Sequence, residues 1–93
     1  MNNYGLSNIS LKDFREFLTN ACCKNLGINA GHEKWTRKDL SRPIIIQTHI
    51  NPIPEFIVKN TLRNLGLNRK DFFDILYANE AAIQRLKQEL EKK

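Results

Sequence analysis

The chain has 93 residues, of which 41% are apolar and 27% charged. This size and balance predict one globular domain and exclude an intrinsically disordered chain. No apolar stretch approaches the ~20 residues of a membrane-spanning helix, and no secretory leader precedes Ser10. Cys22 and Cys23 are adjacent, so a disulfide between them would be strained. We therefore expect a reduced, cytoplasmic protein without a membrane partner.

Positive charge is concentrated in the middle of the chain. The formal net charge is +5, and residues 24–70 hold nine basic and three acidic side chains. Residues 1–23 are neutral overall, and residues 71–93 hold four basic and five acidic side chains. Excess positive charge favours a phosphate backbone as partner, because neutralising phosphates releases counterions. A solvated basic surface without such a partner is the alternative that charge alone leaves open.

The first half of the chain predicts one helix and three short antiparallel strands. After a lead-in over Met1–Asn8, an N-cap at Ser10 and helical apolar spacing predict a helix over about Leu11 to Cys23. The strands are expected over Lys24–Ala30, from His32 to Thr36, and over Ile44–Ile50, with a polar loop at Arg37–Ser41.

The second half predicts helices only. One helix starts near Pro54 and ends at Gly66. A second helical run, capped by Asn68, continues over residues 69–91. The element order is α-β-β-β-α-α, which is an α+β fold. We expect a domain over residues 1–78 and a helical extension over residues 79–93 that is not a separate domain.

The last helical run carries an apolar stripe with members seven residues apart. Its members are Leu76, Ile83, Leu86 and Leu90. An exposed stripe of this kind tends to mark a contact with another chain. We expect a homodimer or a complex with a partner through this helix, and packing onto the domain itself is the alternative.

His32 is the strongest candidate for chemistry. A turn at Ala30-Gly31 leads into it, and imidazole exchanges a proton near neutral pH, with an unperturbed pKa of about 6.5. Alternation along its strand places Lys34 and Thr36 on the same face and Glu33 and Trp35 on the other. Cleaving RNA without a metal needs a base, an acid and groups that stabilise the negative charge of the transition state. His32 can serve in either proton role.

Basic side chains around His32 are the candidate phosphate contacts. They are Lys34, Arg37, Lys38 and Arg42. Two secondary candidates are His49, which could instead cap the turn after the third strand, and Trp35, which could stack on a base or pack against a helix. Whether His32 and His49 share a face depends on strand register, which the sequence does not fix.

The sequence predicts no metal and no cofactor. Two histidines and two adjacent cysteines lack the paired spacing of a zinc motif. No glycine-rich phosphate loop or serine-triad signature is present.

The order of elements, the Gly31-His32 step, a third strand ending in His49 and a helix ending at Gly66 resemble the HicA family of bacterial toxins. The resemblance covers about Ser10 to Leu76. It implies a double-stranded-RNA-binding-like α-β-β-β-α domain, here with an added C-terminal helix, and a ribonuclease that cleaves mRNA. It also implies inhibition by a HicB-like antitoxin protein.

In this resemblance His32 falls on the family's catalytic histidine, and His49 falls on a histidine often found at the end of the third strand. Two other functions are compatible with the same sequence. One is a non-catalytic RNA-binding or regulatory module on this fold, and the other is a protein–protein adaptor built around the C-terminal helix.

Overall fold

A computed structural model describes residues 5–92 and confirms an α+β domain, with four helices and a three-stranded antiparallel sheet in that range. The helices are α1 (Leu11–Asn20), α2 (Glu55–Leu65), α3 (Arg69–Leu76) and α4 (Glu80–Glu91), and the strands are β1 (Lys24–Asn29), β2 (His32–Thr36) and β3 (Ile44–Gln47). The strand order is β1-β2-β3. Residues 1–4 of the predicted lead-in and Lys93 of the predicted extension lie outside the described residues.

A two-residue turn sets the register of the first hairpin. Ala30 and Gly31 have φ angles of +55° and +81°, as a type I′ turn requires at both of its central positions. The turn pairs Asn29 with His32. The predicted alternation along β2 is confirmed, because His32 and Lys34 are exposed whereas Glu33 and Trp35 are buried.

The core lies between the inner face of the sheet and the helices. Ser10 caps α1 by accepting a hydrogen bond from the Asp13 backbone N–H at 3.0 Å, as its position predicts. The ring centroids of Phe17 and Phe72 lie 4.6 Å apart and join α1 to α3. Both rings are fully buried, so this contact holds the third helix on the first.

The predicted single helix over residues 69–91 is wrong, because it is interrupted. α3 ends at Leu76, Ala78 takes a left-handed φ of +60°, and Asn79 then caps α4 by accepting from the Ala82 N–H at 3.1 Å. Three other elements are shorter than predicted. α1 ends at Asn20, with Cys22 at φ +70°, β1 ends at Asn29, and β3 ends at Gln47.

The apolar side of α4 is turned into the domain. Leu86 is 8% exposed and Leu90 7% exposed, and both belong to the same core cluster as Leu76. The expected exposed stripe is therefore absent from the described residues, and a homodimer through this helix loses the observation that motivated it. The alternative, packing onto the domain itself, is what the structure shows.

We predict that truncation after Ala78 destabilises the domain. Burying a leucine contributes about 1.5–3 kcal/mol, so losing Leu86 and Leu90 should lower the free energy of unfolding by roughly 3–6 kcal/mol. Urea denaturation followed by circular dichroism measures this loss. Leu86→Ala should show part of it, and Lys87→Ala, at an exposed position of the same helix, should show none. A truncated chain as stable as the intact one would contradict this account of α4.

Candidate functional site on the outer face of the sheet

The side of the sheet that faces away from the helices carries the predicted catalytic histidine. We call it the outer sheet face. Residues directly opposite each other in an antiparallel pair share a face, so the register places on it Lys24, Asn29, His32, Lys34, Thr36, Ile45 and Gln47. All are exposed except Thr36, which is half-buried. The outer sheet face is therefore an open, mostly polar surface.

The structure brings His49 to the same end of the sheet as His32. His32 lies opposite Gln47, and Gln47 precedes His49 by two residues. The backbone N–H and the hydroxyl of Thr48 both donate to the Gly31 carbonyl, at 2.9 and 3.2 Å. A Cβ atom placed on Gly31 would lie 4.0 Å from His49 Nδ1. The turn after β3 is thus tied to the Gly31-His32 step, and both exposed imidazoles lie near it.

Lys38 and Arg42 lie at the opposite end of the sheet. Both are exposed and belong to the connection between β2 and β3. Four residue steps along a strand span about 13 Å, so the sheet separates these side chains from the two histidines. Lys34 lies between the two groups, on the same face of β2 as His32. It is the predicted phosphate contact nearest to His32 along the chain.

Glu33 points away from the outer sheet face and is held by four donors. Arg15 Nε and Nη2 donate to its Oε1 at 3.1 and 2.7 Å. Asn25 Nδ2 and Trp35 Nε1 each donate to its Oε2 at 2.8 Å. The side chain is 1% exposed, and a buried carboxylate is tolerated only when it is paired and hydrogen-bonded in this way. This cluster fixes α1 against the middle of the sheet.

Trp35 belongs to that cluster and is not available to a base. Its side chain is buried at 4% exposure. Stacking of Trp35 on an unpaired base is therefore not compatible with the structure, because the indole lies in the core and its N–H is already bonded to Glu33. The other expectation agrees with its place in the core cluster, which also contains side chains of the helices.

Arg37 is likewise buried, so its guanidinium is not exposed for the predicted contact with a phosphate. Its Nε and Nη2 bind the two carboxylate oxygens of Asp39 at 2.7 and 3.0 Å. Its Nη1 donates to the Ala21 carbonyl at 3.1 Å, and Nη2 also reaches the Leu65 carbonyl at 3.4 Å. The guanidinium thus joins the C-terminal ends of α1 and α2, where helix carbonyls lack partners within the helix.

Arg15 and Arg37 pair with the carboxylates of the segment that contains the sheet. Between residues 24 and 49 the sequence holds two carboxylates, Glu33 and Asp39. Each is bound to an arginine, Glu33 to Arg15 and Asp39 to Arg37. The exposed ionisable side chains of this segment are therefore all basic or imidazole. They are Lys24, His32, Lys34, Lys38, Arg42 and His49.

Cys23 and the possible metal ligands are the other candidates for a second site. Burial raises the pKa of the Cys23 thiol to about 11, outweighing the opposite effect of Arg37, so Cys23 is protonated at neutral pH and is no thiolate nucleophile. Within residues 5–92 no three His, Cys, Asp or Glu side chains are grouped so that they could hold a metal ion. None of the helices in this range is long and apolar enough to cross a membrane.

Comparison of the chain with protein-family models, with curated proteins and with solved structures gives no match. The resemblance to HicA toxins therefore stays a prediction.

Sequence reasoning missed the structural role of Glu33 and of Arg37. For Glu33 the sequence did contain a signal, because alternation placed it on the same face of the strand as Trp35. A carboxylate on a buried face needs hydrogen-bond donors. A signal for Arg37 was its spacing of two residues from Asp39, which permits a pair within the turn. Asn25 gave no signal, because its reach to Glu33 depends on the bulge between Asn25 and Gly27 in β1.

We predict that Glu33→Ala destabilises the fold. Removing one partner of a buried ion pair costs about 3–5 kcal/mol. We expect a loss near the lower end of this range, because Arg15 is 39% exposed and water can replace Glu33 as its hydrogen-bond partner. Water cannot reach the Trp35 N–H in the same way. Thermal unfolding followed by tryptophan fluorescence reports on stability and on the indole together. Glu16→Ala, at an exposed position of α1, is the matched control and should change stability by less than about 0.5 kcal/mol. Equal effects of the two substitutions would refute the role of the cluster.

Proposed function

We propose that this chain is a ribonuclease toxin of the HicA kind. In this proposal it acts in the cytoplasm, binds mRNA on the outer sheet face, cleaves it with His32, and is silenced by a HicB-like antitoxin. The supporting observation is the exposed His32 beside Lys34 on a face whose neighbouring carboxylates are turned inward. The order α1-β1-β2-β3-α2 supports the further proposal of a double-stranded-RNA-binding-like arrangement.

RNA binding is proposed to run along β2. The two ends of the outer sheet face lie about 13 Å apart along the strand, and a single phosphate is too small to span that distance. A backbone lying along β2 would contact Lys38 and Arg42 at one end and approach His32 at the other. Counterion release would then contribute most of the affinity and make it dependent on salt.

Cleavage is proposed to use the 2′-hydroxyl of the RNA as nucleophile. His32 removes the 2′-OH proton, the oxygen attacks the adjacent phosphorus, and the bond to the 5′-oxygen breaks. That oxygen takes a proton from an acid, for which His49 at the same end of the sheet is the candidate. The products are a 2′,3′-cyclic phosphate and a free 5′-hydroxyl. Lys34 stabilises the negative charge that develops on the phosphate oxygens.

We predict that His32→Ala lowers RNA cleavage by about 100-fold or more, since a positioned general base contributes 10²–10⁴-fold. The measurement uses a single-stranded RNA oligonucleotide in excess EDTA, with product ends identified by mass spectrometry. Binding to the same oligonucleotide should be nearly unchanged, because the proposed phosphate contacts at Lys38 and Arg42 are kept.

Two outcomes would contradict this assignment. Undiminished cleavage by His32→Ala would remove His32 from the mechanism. Absence of cleavage by the unaltered chain, together with equal losses of affinity in His32→Ala and in the basic variants, would indicate a non-catalytic RNA-binding module. An oligonucleotide with 2′-deoxyribose throughout is the substrate control and should not be cleaved.

We also predict that Lys38→Gln and Arg42→Gln weaken RNA binding and flatten its salt dependence. Each lost phosphate contact should lower the slope of log K against log salt by about 0.7 for a single strand. Fluorescence anisotropy over a salt series measures the slope. Lys87→Gln on α4 is the matched control and should leave it unchanged. An unchanged slope in Lys38→Gln and Arg42→Gln would show that these side chains are merely solvated.

A further inference from the structure

The two edges of the sheet differ in how they are protected. Edge strands with free backbone groups attract other strands, and proteins blunt them with charges, prolines or bulges. β1 has a bulge between Asn25 and Gly27, and it carries Lys24. β3 pairs with β2 in an uninterrupted register and reads Ile-Ile-Ile-Gln, without a charge or a bulge within the strand. Its protection is limited to its short length of four residues and to Pro43 before it, so β3 is the less protected edge.

An apolar groove runs beside this edge, where α2 begins. Its volume is about 440 Å³, and its walls come from β3, from the loop after it and from the first turn of α2. Ile45 is 48% exposed and Phe56 is 63% exposed. The residues along it that the argument uses are Ile45, Ile50, Ile53 and Phe56.

The groove is fixed in place by hydrogen bonds that two backbone N–H groups donate. The Ile53 N–H donates to the Ile9 carbonyl at 2.8 Å, and the Leu11 N–H donates to Asn51 Oδ1 at 2.9 Å. These bonds hold the loop between β3 and α2 against the start of α1. A strand that docks there would bind a surface that is already ordered. This pre-organisation lowers the entropic cost of binding.

The charges around β3 indicate what kind of segment docks there. Residues 41–51 contain Arg42 and His49 and no carboxylate. The nearest acidic side chain on α2, Glu55, is bound to Lys59 at 3.0 Å. Pairing two copies of β3 would bring together two chains of net charge +5 with no carboxylate in this segment to compensate. An acidic partner is favoured instead.

We infer that the β3 edge binds an extended, acidic segment of a partner protein by strand addition. Alternate side chains of such a strand point to opposite faces. Apolar ones would enter the groove beside Phe56, and acidic ones would lie over the outer sheet face near Lys34 and Arg42. We place this partner among the antitoxins of the proposed function, on which its identity rests. Docking itself requires no RNA and no cleavage.

The test uses a fluorescent heptapeptide of alternating valine and glutamate, with blocked ends, and fluorescence anisotropy with the full chain. We expect saturable binding that weakens with salt. Phe56→Ala should weaken it about fivefold or more, the effect typical of a contact at the centre of an interface. Leu26→Ala, at the β1 edge and 55% exposed, is the matched control and should bind the peptide as the unaltered chain does.

Peptide controls separate strand addition from charge attraction. The same peptide with every backbone amide N-methylated cannot donate to β3 from either of its edges, and we expect its binding to be lost. Equal binding of the methylated peptide, no binding of the heptapeptide, or equal effects of Phe56→Ala and Leu26→Ala would each overturn the inference. So would sedimentation showing that the chain alone dimerises in a manner that Phe56→Ala abolishes. Since no RNA is present, each result is independent of whether the chain cleaves RNA.

Discussion

The structure depends on one buried carboxylate. Glu33 lies in the central strand at 1% exposure and accepts hydrogen bonds from α1, from β1 and from the indole beside it. A carboxylate in this place is tolerated only when it is paired and hydrogen-bonded in this way. Glu33 therefore joins the sheet, α1 and the tryptophan, and its inward orientation leaves the preceding residue, His32, facing outward.

Arg37 has the corresponding role at the other side of the domain. Its guanidinium is shared between Asp39 and the carbonyls at the ends of α1 and α2. The two arginine–carboxylate contacts have a common consequence for the surface of the sheet region. Both acidic side chains of the sheet region are bound to arginines and point into the domain. The exposed ionisable side chains of this region are therefore lysine, arginine and histidine. Fold stability and surface charge are thus set by the same two pairs.

The sequence predicted what local chemistry controls and missed what depends on distant contacts. The cap at Ser10, the three strands and the outward orientation of His32 follow from residue types and a period of two, and the structure confirms them. The break at Ala78 was missed because the heptad spacing of Leu76, Ile83 and Leu90 continues across it, although Asn79 is a good N-cap. Arg37 was assigned to RNA because it belongs to a basic loop, and only the tertiary structure shows that its guanidinium is turned inward. For Trp35 both readings were open, although alternation placed it on the face opposite His32, and the structure buries it.

Two adjoining surfaces carry the proposed functions. The outer sheet face has the charge for a phosphate backbone, and the β3 edge has the apolar groove and the free strand edge for a protein segment. They meet at β3, so that a bound segment would lie beside Ile45 and close to the face that carries His32. A partner seated there would therefore hinder RNA at the same time, which is the behaviour that an inhibitory antitoxin needs.

The central claim is that RNA binds the outer sheet face, and the most direct measurement is an NMR titration of the full chain with a non-cleavable 2′-O-methyl RNA. The predicted result is that backbone amide shifts change along β2 and at its two ends, from His32 and His49 to Lys38 and Arg42. Amides of α3 and α4 should not move. Shifts concentrated on those helices, or no shifts at low salt, would contradict the account.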